Sequence, residues 1–239
     1  MLFDPYYASL ETRYAVHDQL SRDVFACDEC YRAGLLARLE EFRQRNREMA
    51  YRFRPARVEL LFIAESPPVS GAYFYRLPEW GQRGVRSALF WETVRALGIV
   101  PAGPCCYAEK ERYLAKFRDR GLFIVDAAKC PVNHVGDGTA ARMIGRCSRL
   151  LRREVQALDP RHIVLIKKTN HVLLPRLEEW GFSPRLLSAE PLAFPVAGNQ
   201  GRFRAELAVL RAAYPRLRQQ LGSQACPSHS VRSAVRVRP

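Results

Sequence analysis

Between Val58 and Pro68 the chain reads VELLFIAESPP, and no other run narrows the possible folds as far. Six of its first seven residues are apolar, several of them β-branched or aromatic, which predicts a strand buried on both faces. The run stops on Glu65 and Ser66, and Pro67 and Pro68 then force an irregular loop. A carboxylate therefore stands at the carboxyl end of a central strand, the end at which open α/β sheets bind ligands. The competing reading is an ordinary strand exit with a solvated glutamate.

The rest of the chain repeats the alternation. Helices are expected over 8–22 and 31–50, 85–98, about 109–118, 138–157, 169–180 and 205–221. GLFIVDAA at 121–128 reads as a second buried strand ending on Asp126, residues 162–166 as a third, and a weaker fourth is expected within 186–194. Strand and helix alternating in this way predict an α/β fold with a mainly parallel sheet and helices on both faces. One domain is expected over 1–221, followed by a disordered basic tail at 222–239. The loop at 69–84 holds three consecutive aromatic residues, Tyr73, Phe74 and Tyr75. Three such rings just past a strand end are not expected to face a core together, so they are candidates to stack on a flat ligand, with packing beneath the loop as the alternative.

Charge and cysteines narrow the partners. The formal net charge is +14, carried mostly by arginine, which suits phosphate contacts and points first to nucleic acid. Arginine bias from a GC-rich genome is the bland alternative. No apolar run approaches the ~20 residues of a membrane span, and the first residues lack a basic-then-apolar export pattern, so a cytoplasmic protein is expected. In that compartment seven cysteines are unlikely disulfides; metal, catalysis or simple burial remain. Cys27 and Cys30 form a C-x2-C at a helix junction, a pattern open to metal binding, redox exchange or chance.

Four pieces fall in order: AESPP at 64–68, DAAKCPVN at 126–133, the strand and helix of DPRHIVLIKKTNHVLL, and FPVAGNQGRF at 194–203. This arrangement resembles the uracil-DNA glycosylase superfamily, most closely its iron-sulfur branch, often called family 4, over most of residues 25–210. The resemblance implies a three-layer α/β/α sandwich around a four-stranded, mainly parallel sheet. It implies that Cys27, Cys30, Cys130 and Cys147 hold a 4Fe-4S cluster, with zinc as the alternative for a four-cysteine set. The activity implied is cleavage of the N-glycosidic bond of a flipped, damaged or deaminated base, uracil or a relative, in single- or double-stranded DNA, by a monomer.

Residue by residue, the resemblance makes Glu65 the carboxylate that orients water and stabilises the cationic sugar, and Asn133 the asparagine closing the second motif. Phe74 takes the place of the stacking ring, with Tyr73 or Tyr75 as substitutes, and Ser66 is a further base contact. Asn199, Gln200 and Arg202 fall in the segment that enters the minor groove, and Lys129 is a further DNA contact. Two positions depart from the pattern. Asp126 stands where an asparagine reads uracil, and an ionised Asp offers acceptors only unless burial keeps it protonated. Phe194 stands where many members carry a histidine that stabilises charge on the departing base. These departures support a second expectation, a member of the superfamily that binds nucleic acid without cleaving it.

Overall fold

The computed structural model describes residue 46 and residues 48–68, 72–77, 87–100, 107–132 and 135–214. The expected helix over 8–22, most of that over 31–50, Cys27, Cys30, Asn133 and the tail at 222–239 lie outside the described residues.

Among the described residues the fold is mixed α/β, built on an open sheet of three parallel strands. Strand β1 (Leu60–Ala64) is central, with β2 (Leu122–Asp126) on one side and β3 (His162–Leu165) on the other. All five residues of β1 are at most 2% exposed, as the unbroken apolar run requires. The register aligns Ala64 with Asp126 and Ile63 with Leu165, so all three strands end at one level. Gly121 makes the entry to β2 possible: its φ is +70°, and a Cβ there would lie 2.8 Å from Cγ of Glu59.

Helix α1 (Ala88–Ala96) starts at Ser87, whose hydroxyl accepts from the Phe90 amide, and α2 (Lys110–Asp119) follows a short 3-10 turn at Tyr107–Glu109. Helix α3 (Asp137–Leu158) is the longest of those described. Its stripe of Ala140, Ile144, Cys147, Leu151 and Val155 is buried at helical spacing, while Arg142, Arg146, Arg149 and Arg153 are exposed. After β3 come a 3-10 helix (Lys168–Leu173), the short α4 (Leu174–Glu179), a 3-10 turn (Ser183–Arg185) and α5 (Gln200–Ala213).

Two expectations are corrected. The fourth strand within 186–194 does not form; only two isolated parallel bridges join this segment to β3 and its exit, Leu186 to Ile163 and Leu192 to Ile166. Six residues of this segment span three of its partner, so the stretch around Ser188 to Pro191 bulges away, and Pro191 has no N–H for a ladder. The helix expected over 169–180 begins as a 3-10 helix instead, and the side chains of Thr169 and Asn170 are engaged elsewhere. No helix among the described residues is long and apolar enough to cross a membrane.

Candidate active site

The strand exits gather polar side chains at one end of the sheet. Glu65, one residue beyond β1, is 4% exposed. Its Oε2 accepts from Nζ of Lys167 at 2.5 Å and its Oε1 from the Thr169 hydroxyl at 2.6 Å. Both partners follow β3, Lys167 just before the 3-10 helix and Thr169 within it. This segment is locked by Asn170, fully buried, whose Nδ2 donates to the carbonyls of Ile63 near the end of β1 (3.0 Å) and of Ile166 just past β3 (2.8 Å). Short polar side chains bonding to nearby backbone in this way displace helical hydrogen bonding, which explains the 3-10 start.

Lys167 has φ 77° and ψ 133°, outside the regions that side-chain-bearing residues ordinarily occupy. Asp159, at φ 41° and ψ 56°, is by contrast an ordinary left-handed helix cap. Backbone of the Lys167 kind costs about 1–3 kcal/mol and is found where surrounding contacts over-determine it, often at functional sites. Here the Lys167 amide donates to the Leu192 carbonyl (2.8 Å) and its own carbonyl accepts from the Asn170 amide (3.0 Å).

Asp126 ends β2 level with Ala64, the residue before Glu65, and the strand pairing runs on past the strands: the Ala127 amide donates to the Ala64 carbonyl (2.8 Å) and the Ala128 amide to that of Glu65 (2.9 Å). Asp126 keeps some exposed surface, but enough protein surrounds its carboxyl to push the pKa up to about 7. Desolvation is the main cause; the charge of Lys129 opposes it, and those of Glu154 and Glu65 add to it. Lys129 is only a partial counter-ion, because its ammonium pairs with Glu154 on α3 and donates to the backbone carbonyl of Asp126 at 2.6 Å. The Ser66 hydroxyl accepts from the Val132 amide at 3.1 Å, tying the loop after β1 to the loop after β2.

The aromatic loop takes the packing alternative. Tyr73, Phe74 and Tyr75 are 8%, 3% and 0% exposed, so the expectation that the three could not face a core together is wrong. The reason lies at the sheet edge. The Tyr75 hydroxyl accepts from the Ile124 amide (2.8 Å) and donates to the Ile124 carbonyl (3.3 Å), covering backbone groups on the outer side of β2. Phe74 is enclosed by Tyr75, Phe90 and Phe117, with ring centroids 4.9, 5.2 and 5.3 Å away. Burial pushes both tyrosine phenols up, with the Asp126 charge adding to the effect at Tyr73. Lys110, 2% exposed, donates to the carbonyl of Arg76 (2.6 Å), and its pKa is lowered to about 7, chiefly by burial.

The other expected site residues are dispersed. Phe194 is half-buried against the core. Asn199 is exposed at the start of α5, Gln200 is partly buried, and Arg202 pairs with Glu206 at 2.7 Å. Of the four cysteines expected to hold a metal, Cys130 and Cys147 are both buried, one after β2 and one on the inner stripe of α3. Among the described residues no group of three or more potential metal ligands occurs, and Cys27 and Cys30 lie outside those residues. Lys167, Thr169 and Asn170 are not among the expected site residues, although KKTN follows the third apolar run as directly as ESPP follows the first. Comparison with protein-family models, with curated proteins and with solved structures finds no match to this chain.

Proposed function

We propose that the protein is a nucleic-acid hydrolase of the uracil-DNA glycosylase type, releasing a deaminated or damaged base from a flipped nucleotide. The observation that carries this reading is the pairing of two unlike carboxyl groups at adjacent strand exits, Glu65 held at both oxygens and Asp126 with a pKa near 7. Hydrolysis of an N-glycosidic bond needs a group that reads the base and another that manages the sugar and water.

Asp126 supplies the first. When protonated it donates through its hydroxyl and accepts through its carbonyl, the same pair of hydrogen bonds an asparagine offers to the 4-carbonyl and ring imino group of uracil. Glu65 supplies the second. Its oxygens keep lone pairs beyond those used by Lys167 and Thr169, which orient a water toward C1′ as the base leaves with the bonding electrons. The exposed arginines of α3 and the +14 charge suit the phosphate backbone of DNA. In this reading the segment bridged to β3 through Leu186 and Leu192 is the degenerate fourth strand of a three-layer sandwich. Cys27, Cys30, Cys130 and Cys147 would hold a 4Fe-4S cluster or zinc, a cross-link between the N-terminal segment and the sheet. The protein would act as a cytoplasmic monomer.

The test is incubation with oligonucleotides carrying single uracil, hypoxanthine, xanthine or oxidised bases. Abasic product that disappears in E65A is expected. Intact substrates together with salt-dependent DNA binding would favour the non-cleaving member instead, a reading to which half-buried Phe194 lends itself.

A further inference from the structure

The Glu65–Lys167 pair is lopsided. The glutamate side chain is 5% exposed and the lysine side chain 28%, so the amine is the more accessible of the two groups. Its backbone is held in an unfavoured conformation by hydrogen bonds on both sides, and an acceptor for its proton lies 2.5 Å away on Glu65. The carboxylate in contact favours the ammonium form, and it is also a base placed to take that proton when an electrophile arrives. In the base-excision reading Lys167 serves only as a partner that holds Glu65.

We infer that Lys167 forms a covalent imine with the aldehyde of an abasic deoxyribose, giving the protein a β-lyase activity on abasic DNA. The inference rests on that reading only for placing the sugar at this cluster. Lys167 gives one proton to Glu65, and its nitrogen lone pair attacks C1′ of the open-chain sugar, forming the N–C1′ bond. A second amine proton moves to the former aldehyde oxygen. That oxygen then leaves as water, taking the proton back from Glu65, and an iminium remains on Lys167. Removal of a C2′ proton by Glu65 moves electrons into the iminium. The C3′–O bond then breaks, and the 3′ phosphate departs with its electron pair. Water finally hydrolyses the imine and returns the free amine. No oxidant, reductant or further reactant is consumed.

The experiment uses the full chain with an oligonucleotide containing one preformed abasic site, single-stranded and duplex, in the presence of sodium borohydride, which reduces the iminium to a stable cross-link. Wild type is expected to give a protein–DNA adduct that peptide mass spectrometry places on Lys167. K167R keeps the charge opposite Glu65 but has no amine to form the imine, and it should lower the adduct at least about tenfold. K168R, one residue away on an exposed side chain, should not. Absence of an adduct, an undiminished adduct in K167R, or mapping to other lysines overturns the inference. If K167R does not fold, the mapped position in wild type decides. Because the abasic site is supplied, the two readings separate. Adduct without uracil release leaves the lyase standing and removes the glycosylase, and uracil release without adduct does the reverse.

Discussion

Glu65 and Asp126 stand at the exits of neighbouring parallel strands, one register position apart, yet their surroundings treat them in opposite ways. Glu65 meets a lysine and a threonine hydroxyl, one for each oxygen, on a loop that Asn170 fastens to both strand ends. The cation nearest to Asp126 is spoken for, because Lys129 turns to Glu154. Burial therefore dominates, and the carboxyl holds its proton to about pH 7. Two carboxyl groups that the sequence presents alike become a paired anion and a group poised between acid and base, the division of labour that acid–base sites rely on.

The largest effect is expected from breaking the paired side. K167M leaves a buried carboxylate without its cation and should destabilise the protein by about 3–5 kcal/mol in denaturant unfolding. The double variant E65Q/K167M, which removes both charges, should recover most of that loss. A single variant as stable as wild type would mean that the pair is not formed in solution.

Asp126 should show the reverse pattern. The native state keeps its proton to about pH 7, whereas the unfolded chain releases it near 3.8, so between these values the native state binds more protons and stability falls as pH rises. The loss amounts to up to about 4 kcal/mol across that window, and D126N should escape it, matching wild type near pH 4 and exceeding it above pH 7. If the protonated form reads the base, uracil release by wild type declines as pH rises through about 7, while D126N stays level. Parallel pH profiles for the two proteins would remove Asp126 from that role. Glu154 sharpens the point, because its charge raises the Asp126 pKa and occupies Lys129. E154Q should move the Asp126 titration, followed by carboxyl chemical shift, toward lower pH. A shift in the opposite direction would show that Glu154 does not set it.

The strands that carry both groups were legible because their cause is local: LLFIA and LFIVD are unbroken apolar runs, and a parallel sheet buries such runs on both faces. That both carboxylates would stand at one sheet end followed from the same alternation of strand and helix. Their opposite chemistry was not legible, because it depends on Thr169, Lys167 and Glu154, residues distant in sequence that only the folded register brings to the strand ends. The aromatic loop was misjudged for a related reason. A tyrosine hydroxyl that covers a sheet edge cannot be recognised until it is known that β2 is the edge strand.

The smallest expected effect concerns the link between the two sides. Ser66 follows Glu65 directly, and its hydroxyl accepts from the amide of Val132 in the loop that leaves Asp126. S66A removes the acceptor and leaves that N–H without it, a loss of about 1 kcal/mol in global stability. The local consequence should be more informative than the global one. Hydrogen exchange at the Val132 amide should accelerate, while the amides of Ala127 and Ala128, bonded to the backbone of Ala64 and Glu65, should keep their protection. That outcome would make the strand pairing the holder of the two carboxyl groups and Ser66 a brace for the outer loop. Loss of protection at Ala127 and Ala128 as well would mean that the two sides stand or fall together, and the contrast between Glu65 and Asp126 would then belong to one cooperative unit.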